Sequence, residues 1–589
     1  MSWDASRAGR AWRFLKASIQ RRAVLLVPIA ALIGIVAGAV VAGMTFATRE
    51  LHRLLFVVPE GERLSAQAAL LDPRMALVPA LGGILIGLSI FFARRFRARP
   101  PVDPIEANAL HGGRMSFRES VILAAQTMVS NGFGASVGLE AGYTQISAAV
   151  ASWAGRVLEL RRGDVRILVA SGAAGAVAAA FDAPLTGAFY AFELILGTYT
   201  IAAVAPMMAA ALAATLTADW LGAVQFSITI GAVEALEAAD YVPFLLLGLV
   251  GGGVAILLMR LVTLVDSLFN KTGLRTEFRP LLGGLGVGAL ALVTPQVLSS
   301  GNGALYFDLT RDPALGMIFG VLVLKIMAAA ISLGSGFRGG LFFASLFVGG
   351  LLGTLFAALV AFVAPSVAAG PIETALVGMT AVATGVVGGP LTMTFLALEV
   401  SGDLALAGGV LAAAIVASVL VRETFGYSFS TWRLHLRGET IRSAQDVGWI
   451  RSLTVASMMR TDVKTVPVNT TIAELKEAFP LGSTSRVVAV DEEGKYAGIL
   501  LLAEAYGERE EPEADSRTDI GGLLKFSDEW LSPAMNARTA AGSFQRAKAE
   551  ELAVLDRENQ VVGLLTEGYL LRRYAEELEK VRRDLSGER

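Results

Sequence analysis

The decapeptide PLTGAFYAFE, Pro184–Glu193, returns as PLTMTFLALE, Pro390–Glu399, with Pro, Leu, Thr, Phe, Ala and Glu at the same offsets. About the same distance separates GFGASVGLE, which starts at Gly132, from GFRGGLF, which starts at Gly336. A lone match of small residues would be coincidence of composition. Two matched segments at a common separation are an internal repeat, so the chain holds two halves of roughly 200 residues, each with a Gly-rich segment followed by a Pro-Leu-Thr segment.

Both copies lie in apolar surroundings. The chain has 589 residues, 54% hydrophobic and only 17% charged, which describes a polytopic α-helical membrane protein and not an ordinary soluble enzyme. Hydrophobic runs long enough to cross a bilayer recur from about residue 23 to about residue 425, and the remainder, rich in Glu, Arg and Lys, reads as soluble. Paired halves in a membrane chain imply a transporter-type architecture, often inverted, with its site at the interface of the halves near the bilayer midplane. The expected organisation is a cytoplasmic segment 1–22, a membrane domain 23–435 with halves about 23–225 and 240–435, a linker 436–452 and a soluble region 453–589.

Charge sets an orientation. The segment SRAGRAWRFLKASIQRR carries Arg7, Arg10, Arg13, Lys16, Arg21 and Arg22, and the apolar run after it is longer than a signal-peptide core. It is expected to be retained and cytoplasmic, with ARRFRAR, residues 93–99, marking a second cytoplasmic loop and residues 51–73 between them outside. The soluble region then faces the cytoplasm beneath an inner or plasma membrane. The chain has no Cys, and His52, His111 and His435 form no ligand spacing, which argues against thiolate metal sites and redox chemistry. No basic, aromatic-interleaved patch points to nucleic acid, and nothing indicates an enzyme or a required cofactor.

GFGASVGLEAG, Gly132–Gly142, places one ionisable side chain, Glu140, among small residues at membrane depth. Gly and Pro interrupt apolar helices here, and a broken helix exposes free backbone N–H groups at its N-terminus. Such ends attract anions without a Lys or Arg that would hold them too tightly to pass. A carboxylate aimed at the same donors mimics the anion and leaves when protonated, which makes Glu140 a candidate protonatable gate. A purely structural Glu is the alternative.

These residues resemble the CLC family of chloride channels and proton-coupled chloride antiporters. GLEAG (138–142) is similar to the family's G-[KR]-E-G-P segment. SGAAGAVAAAFDAPLTGAFYAFEL is similar to the small-residue helix pair that follows it, GSGFRGGLFFASLFVGGLLG to the G-x-F-x-P region, and VGMTAVATGVVGGPLTMTFLALEVSGD to the matching segment of the second half. The resemblance implies a homodimer in the lipid bilayer, each subunit having inverted-repeat halves and its own path for chloride or another small anion. It also implies that Glu140 gates, with Gly138, Leu139 and Ala141 on one side and Gly340, Leu341, Phe342 and Phe343 on the other forming the ion site.

Departures from the family pattern bear on mechanism. PPVDP, Pro100–Pro104, stands where the family has G-S-G-I-P, so the Ser that would touch the ion is missing, and Asp103 and Glu106 bring carboxylates to the inner mouth or start a helix there. Leu194 follows Glu193 where the antiporter branch has a second Glu, and a leucine carries no proton. The expectation is therefore a passive channel. The alternative is an antiporter with a substitute inner acceptor such as Glu193, although the shared repeat position of Glu193 and Glu399 favours helix-end hydrogen bonding for both. The inner Tyr falls to Tyr427 or Phe429, and spacing to Arg437 and Gly438 favours Phe429. A CBS-regulated cation transporter lined by Asp103, Glu106, Glu140 and Glu193 is the reading of a different class, and a membrane sensor without flux is a third.

In the soluble region RVVAVDEEGKYAGILL and LAVLDRENQVVGLLT each read strand, turn, strand before a helix, with Asp491 and Gly498 repeating as Asp556 and Gly563. This is similar to a tandem pair of α/β CBS domains, and the acidic GEREEPEADSRTD between the copies reads as a linker. The resemblance offers an adenine nucleotide contact through Thr566 and Glu504. Leu501 and Tyr569 break the usual pattern, which favours dimerisation or mechanical regulation without ligand.

Overall fold

The structure is a computed structural model that describes residues 23–96, 100–223, 236, 238–305, 314–367, 369–437, 453–507 and 518–586. The six basic residues of the N-terminal segment, Arg97 and Arg99, the linker 438–452 and most of the acidic linker lie outside the described residues. The chain divides into two compact units, Met1–Asp446 and Val447–Arg589.

The first unit is helical. In its first half α1 (Leu26–Phe56), α2 (Val78–Arg95), α3 (Pro104–Leu110), α4 (Phe117–Gly132), α5 (Glu140–Val157), α6 (Arg162–Phe181), α7 (Pro184–Tyr190) and α8 (Ile201–Trp220) follow one another. In its second half come α9 (Tyr241–Lys271), α10 (Arg279–Ala291), α11 (Leu315–Ser335), α12 (Phe342–Val363), α13 (Pro371–Val387), α14 (Pro390–Ser401), α15 (Leu404–Thr424) and α16 (Phe429–Leu436). Eight helices among the described residues are long and apolar enough to cross a membrane, α1 and α9 at 31 residues each among them. At 1.5 Å per residue these two are longer than the ~30 Å hydrocarbon layer is thick.

The sequence repeat is a repeat of packing. Helix α1 packs on α8 as α9 packs on α15, α5 on α6 as α12 on α13, and α6 on α7 as α13 on α14. Proline opens α7, α13 and α14, where its missing N–H leaves no hydrogen bond unmade. Ser171 to Ala179 in α6 are all buried and all small apart from Val177. In lipid, where burial gives helices little drive to associate, such a face lets backbones approach closely and gain dispersion contact.

In the second unit β1 (Thr465–Pro467), β2 (Arg486–Val490), β3 (Tyr496–Leu501) and β4 (Leu524–Lys525) form a sheet in that order, β1 parallel to β2 and the rest antiparallel. The antiparallel pair β5 (Glu551–Leu555) and β6 (Val561–Thr566) repeats the β2–β3 hairpin. The turns match in detail. Asp491 Oδ1 accepts the N–H groups of Glu493 and Lys495 at 2.9 and 2.8 Å, and Asp556 Oδ1 those of Glu558 and Gln560 at 2.9 Å each. Buried Glu551 holds Arg460 at 2.8 Å and Arg486 at 3.0 Å, tying the second hairpin to the first copy. The helices are α17 (Val455–Met458), α18 (Ile472–Ala478), α19 (Leu502–Ala505), α20 (Ala537–Ala547) and α21 (Glu567–Ser586).

Candidate ion site

The Gly-rich segments of the two halves meet. Gly138 N–H donates to the Gly340 carbonyl at 3.0 Å and Gly340 N–H to the Gly138 carbonyl at 3.2 Å, a short antiparallel bridge inside a helical unit. Only glycine fits: a Cβ on Gly138 would stand 1.8 Å from Glu140 Oε2, and one on Gly340 2.6 Å from Glu140 Cγ. These two amides were expected among the donors to the ion. They are satisfied by each other, and their role is to bring the starts of α5 and α12 together.

Glu140 opens α5 and is buried. Its Oε1 accepts the N–H of Phe342, the first residue of α12, at 2.6 Å. Oε2 has no hydrogen-bond partner among the described residues. The carboxylate thus sits at the positive end of α12, a position that favours negative charge. Phe181 closes the space behind the α12 residues, its ring 4.3 Å from that of Phe343 and 4.5 Å from that of Phe342, centre to centre.

A cavity of about 100 Å³ reaches Leu139, Tyr143 and Phe343 from the end of α1, past Arg49, His52 and Ser299. Polar bonds shape its wall. His52 Nε2 lies 3.0 Å from the Asn131 carbonyl, Asn131 Nδ2 donates to the Val137 carbonyl at 2.6 Å, and Ser299 Oγ donates to Asn131 Oδ1 at 3.0 Å. Fully buried Lys325 donates to the carbonyls of Val297 and Ser299 at 3.1 and 2.9 Å, fixing the segment that faces them. Sequence reading weighed His52 only as a metal ligand and passed over Asn131 and Lys325, because partners 79, 168 and 28 residues away leave no local pattern.

The inner candidates are engaged in several ways. Glu193 accepts the N–H groups of Leu391 and Thr392 at 2.9 and 2.8 Å and the Thr392 hydroxyl at 2.6 Å. Glu399 accepts those of Leu185 and Thr186 at 2.7 and 2.8 Å and the Thr186 hydroxyl at 2.7 Å. Each half therefore caps the Pro-Leu-Thr helix of the other. Leu194 is buried beside α3 in the π-helical turn Ala191–Leu196. Asp103 caps α3 through a 2.8 Å bond from the Ile105 N–H, and Glu106 pairs with Arg437 at 3.1 Å, so the two carboxylates are a helix cap and half of an ion pair. Phe429 starts α16 inside the main core, whereas the Tyr427 hydroxyl meets His435 Nδ1 at 3.1 Å.

In the soluble unit Thr566 Oγ1 accepts the Tyr569 N–H at 3.3 Å, and Glu504 forms an ion pair with Lys525.

The first unit is thus a helical membrane domain whose two repeated halves meet at a buried carboxylate seated on a helix N-terminus. Comparison with known proteins agrees. The family model described as voltage gated chloride channel matches residues 82–422, and that of the CBS domain matches residues 455–505. The voltage-gated ClC-type chloride channel ClcB of Salmonella typhimurium is 32% identical over 398 residues, covering 67% of this chain and 95% of that one. ClcB of Escherichia coli O17:K52:H18 is 30% identical over 407 residues, with the same coverage of 67% and 95%. A slow cyanobacterial Cl−/H+ antiporter shares the fold with a TM-score of 0.61 and 23% identity, over 70% of this chain and 97% of that one. A CLC-type fluoride/proton antiporter gives 0.56 and 20%, over 68% and 96%. A eukaryotic CLC transporter gives 0.58 and 18%, over 94% and 98%. The chain belongs to the CLC family and is a multi-pass membrane protein of anion transport with a CBS domain after its membrane unit.

Proposed function

We propose that this protein exchanges chloride, or an anion of similar size, for protons across the membrane, and that Glu140 is the group both ions share. The observation that carries this reading is the buried Glu140 carboxylate on the Phe342 N–H. While ionised it excludes the anion; once protonated it loses most of its attraction to the helix end and yields the seat. A proton thus enters the cycle whenever the anion does. Two solved relatives are described as Cl−/H+ and fluoride/proton antiporters, which supports exchange over the passive channel suggested by Leu194. The name of ClcB, a chloride channel, speaks for the channel.

The same reading includes a homodimer in an inner or plasma membrane, with the N-terminus and the CBS region on the cytoplasmic side. Chemical crosslinking of detergent-solubilised protein and accessibility labelling of singly introduced cysteines from each side, the chain having none of its own, test those two parts. The function itself is tested by chloride efflux from proteoliposomes, with and without valinomycin, while external pH is recorded. Exchange takes up protons as chloride leaves, and does so against a proton gradient when the chloride gradient is steeper. Valinomycin-dependent efflux without proton movement would establish the channel instead, and currents carried by cations would remove the anion assignment altogether.

A further inference from the structure

Helix α9 opens with an uncharged run, Tyr241–Met259, which at 1.5 Å per residue is about 28 Å long, close to the ~30 Å thickness of the hydrocarbon layer. Arg260 ends that run. Leu257, Leu264 and Leu268, each about half exposed, share its face of the helix at three- and four-residue spacings, so the guanidinium interrupts an exposed apolar stripe of a helix long enough to cross a membrane. A cation on such a face is costly in hydrocarbon and stable at the depth of lipid phosphates. Just past α9, Glu277 pairs with Arg94 at 2.7 Å, which brings this end of α9 to the basic end of α2.

A cavity of about 400 Å³ opens beside Arg260, walled by Thr263 and Ser267 of α9, Thr424 at the end of α15, Phe425 in the turn after it and Trp432 of α16. Its walls are tied together. Trp432 Nε1 donates to Thr263 Oγ1 at 2.9 Å, and the Phe425 ring lies 4.8 Å from that of Trp432, centre to centre. The hydroxyls of Thr263, Ser267 and Thr424 donate to carbonyls of their own helices at 3.1, 2.8 and 2.6 Å. Arg260 is left over. Its Cζ stands over the Phe425 ring, 6.0 Å from the centre, and among the described residues its guanidinium has no hydrogen-bond or ion-pair partner. Asp266, the one acidic residue of α9, accepts from Asn270 Nδ2 at 3.2 Å instead. A guanidinium laid over a ring keeps its N–H edge free, and that fork matches the oxygens of a phosphate.

We propose that this cavity seats the phosphate headgroup of an anionic phospholipid, with Arg260 as its counter-charge and Phe425 and Trp432 against the glycerol and the upper acyl chain. The seat is independent of how the anion moves. A basic pocket between membrane helices is the setting that holds anionic headgroups, and aromatic residues at that level offer an apolar body to the chain and a polar edge to the headgroup. Leu257, Leu264 and Leu268 continue the apolar surface on both sides of Arg260, which favours a phosphate that carries acyl chains over one free in solution. A lipid held here bridges α9 to the turn between α15 and α16, so its binding stabilises the membrane unit.

The test is thermal unfolding of the full-length protein, purified in uncharged detergent and titrated with phosphatidylglycerol, phosphatidylcholine or inorganic phosphate. Phosphatidylglycerol is expected to raise the unfolding temperature in a saturable way. In Arg260→Gln the concentration giving half the effect should rise about tenfold, the low side of what a lost hydrogen bond to a charged group costs, and Arg260→Lys, which keeps the charge without the fork, should shift it less. Arg275→Gln removes the same charge from the segment after α9, outside the cavity, and should leave the titration unchanged. Unfolding without lipid reads any folding defect of a variant separately. Equal titrations of wild type and Arg260→Gln overturn the seat, as does an equal loss in Arg260→Gln and Arg275→Gln, which is attraction to surface charge at large. Equal stabilisation by phosphatidylcholine overturns the anionic preference, and equal stabilisation by inorganic phosphate overturns the lipid as its source.

Discussion

Replacing Glu140 by Ala tests the competition between carboxylate and anion directly. In the structure Glu140 Oε1 accepts the Phe342 N–H at 2.6 Å and the Phe343 N–H also faces the carboxylate, so the single Phe342 bond sets a lower bound on the hold. A hydrogen bond to a charged group contributes about 1.5–3 kcal/mol net. Since about 1.4 kcal/mol is a factor of ten, an anion reaching that end must overcome a competitor worth about ten- to a hundredfold in affinity. Glu140→Ala removes it, so the chloride dissociation constant at neutral pH should fall by about ten- to a hundredfold. Glu140→Gln, neutral but still an acceptor, should fall in between.

The pH dependence has a definite sign. Lowering the pH protonates Glu140 and weakens its hold, so wild-type affinity should rise toward that of Glu140→Ala as the solution is acidified, and Glu140→Ala itself should show no such rise. Calorimetric titration of purified protein with chloride at neutral and acidic pH reads both effects, with chloride efflux as the functional counterpart. Equal affinities for wild type and Glu140→Ala at neutral pH would refute the reasoning, as would a pH dependence that survives in both variants.

Other parts of the structure make separate predictions. Glu399→Ala strips the Leu185 and Thr186 N–H groups of their acceptor and should cost about 2 kcal/mol, read as earlier thermal unfolding, with Glu193→Ala matching it from the other half. Glu193→Gln should leave the proton-to-chloride ratio intact, since its carboxylate is held by Leu391 and Thr392; a collapse would make Glu193 the inner acceptor. In α18 the Thr471 backbone N–H, then its hydroxyl, hold the Glu474 carboxyl below its ordinary value. The folded form is favoured above the unfolded value near pH 4.3, and that contribution is lost as pH falls through the lowered one. Protection from hydrogen exchange at residues 472–478, taken relative to the intrinsic rate at each pH, should therefore fall on acidification across that window and do so less in Glu474→Gln; a pH-independent difference between the two would count against it.

The apolar runs, the repeated Pro-Leu-Thr segment and the lone carboxylate at Glu140 were legible because each is a local pattern: length for a span, identity at a fixed offset for a repeat, one costly charge among small residues. The hairpins of the soluble unit were legible for the same reason, Asp and Gly marking turns between alternating strands. Asp103 was readable as a helix start, since a short acidic side chain before Pro-Ile-Glu satisfies free N–H groups there. Leu194, in contrast, was legible only as a missing carboxylate, because one residue's identity says nothing of what stands nearby in space.

By itself, then, the sequence determined that this is a membrane protein of two related halves with a carboxylate at its centre and a CBS-type region behind it. Only the tertiary structure decided that Gly138 and Gly340 hydrogen-bond each other and that Glu193 and Glu399 each cap a helix of the other half. The physical reason is range. Periodicity and composition report how a residue meets its neighbours along the chain, whereas these contacts join positions far apart in sequence, where only the course of both backbones fixes which donor faces which acceptor.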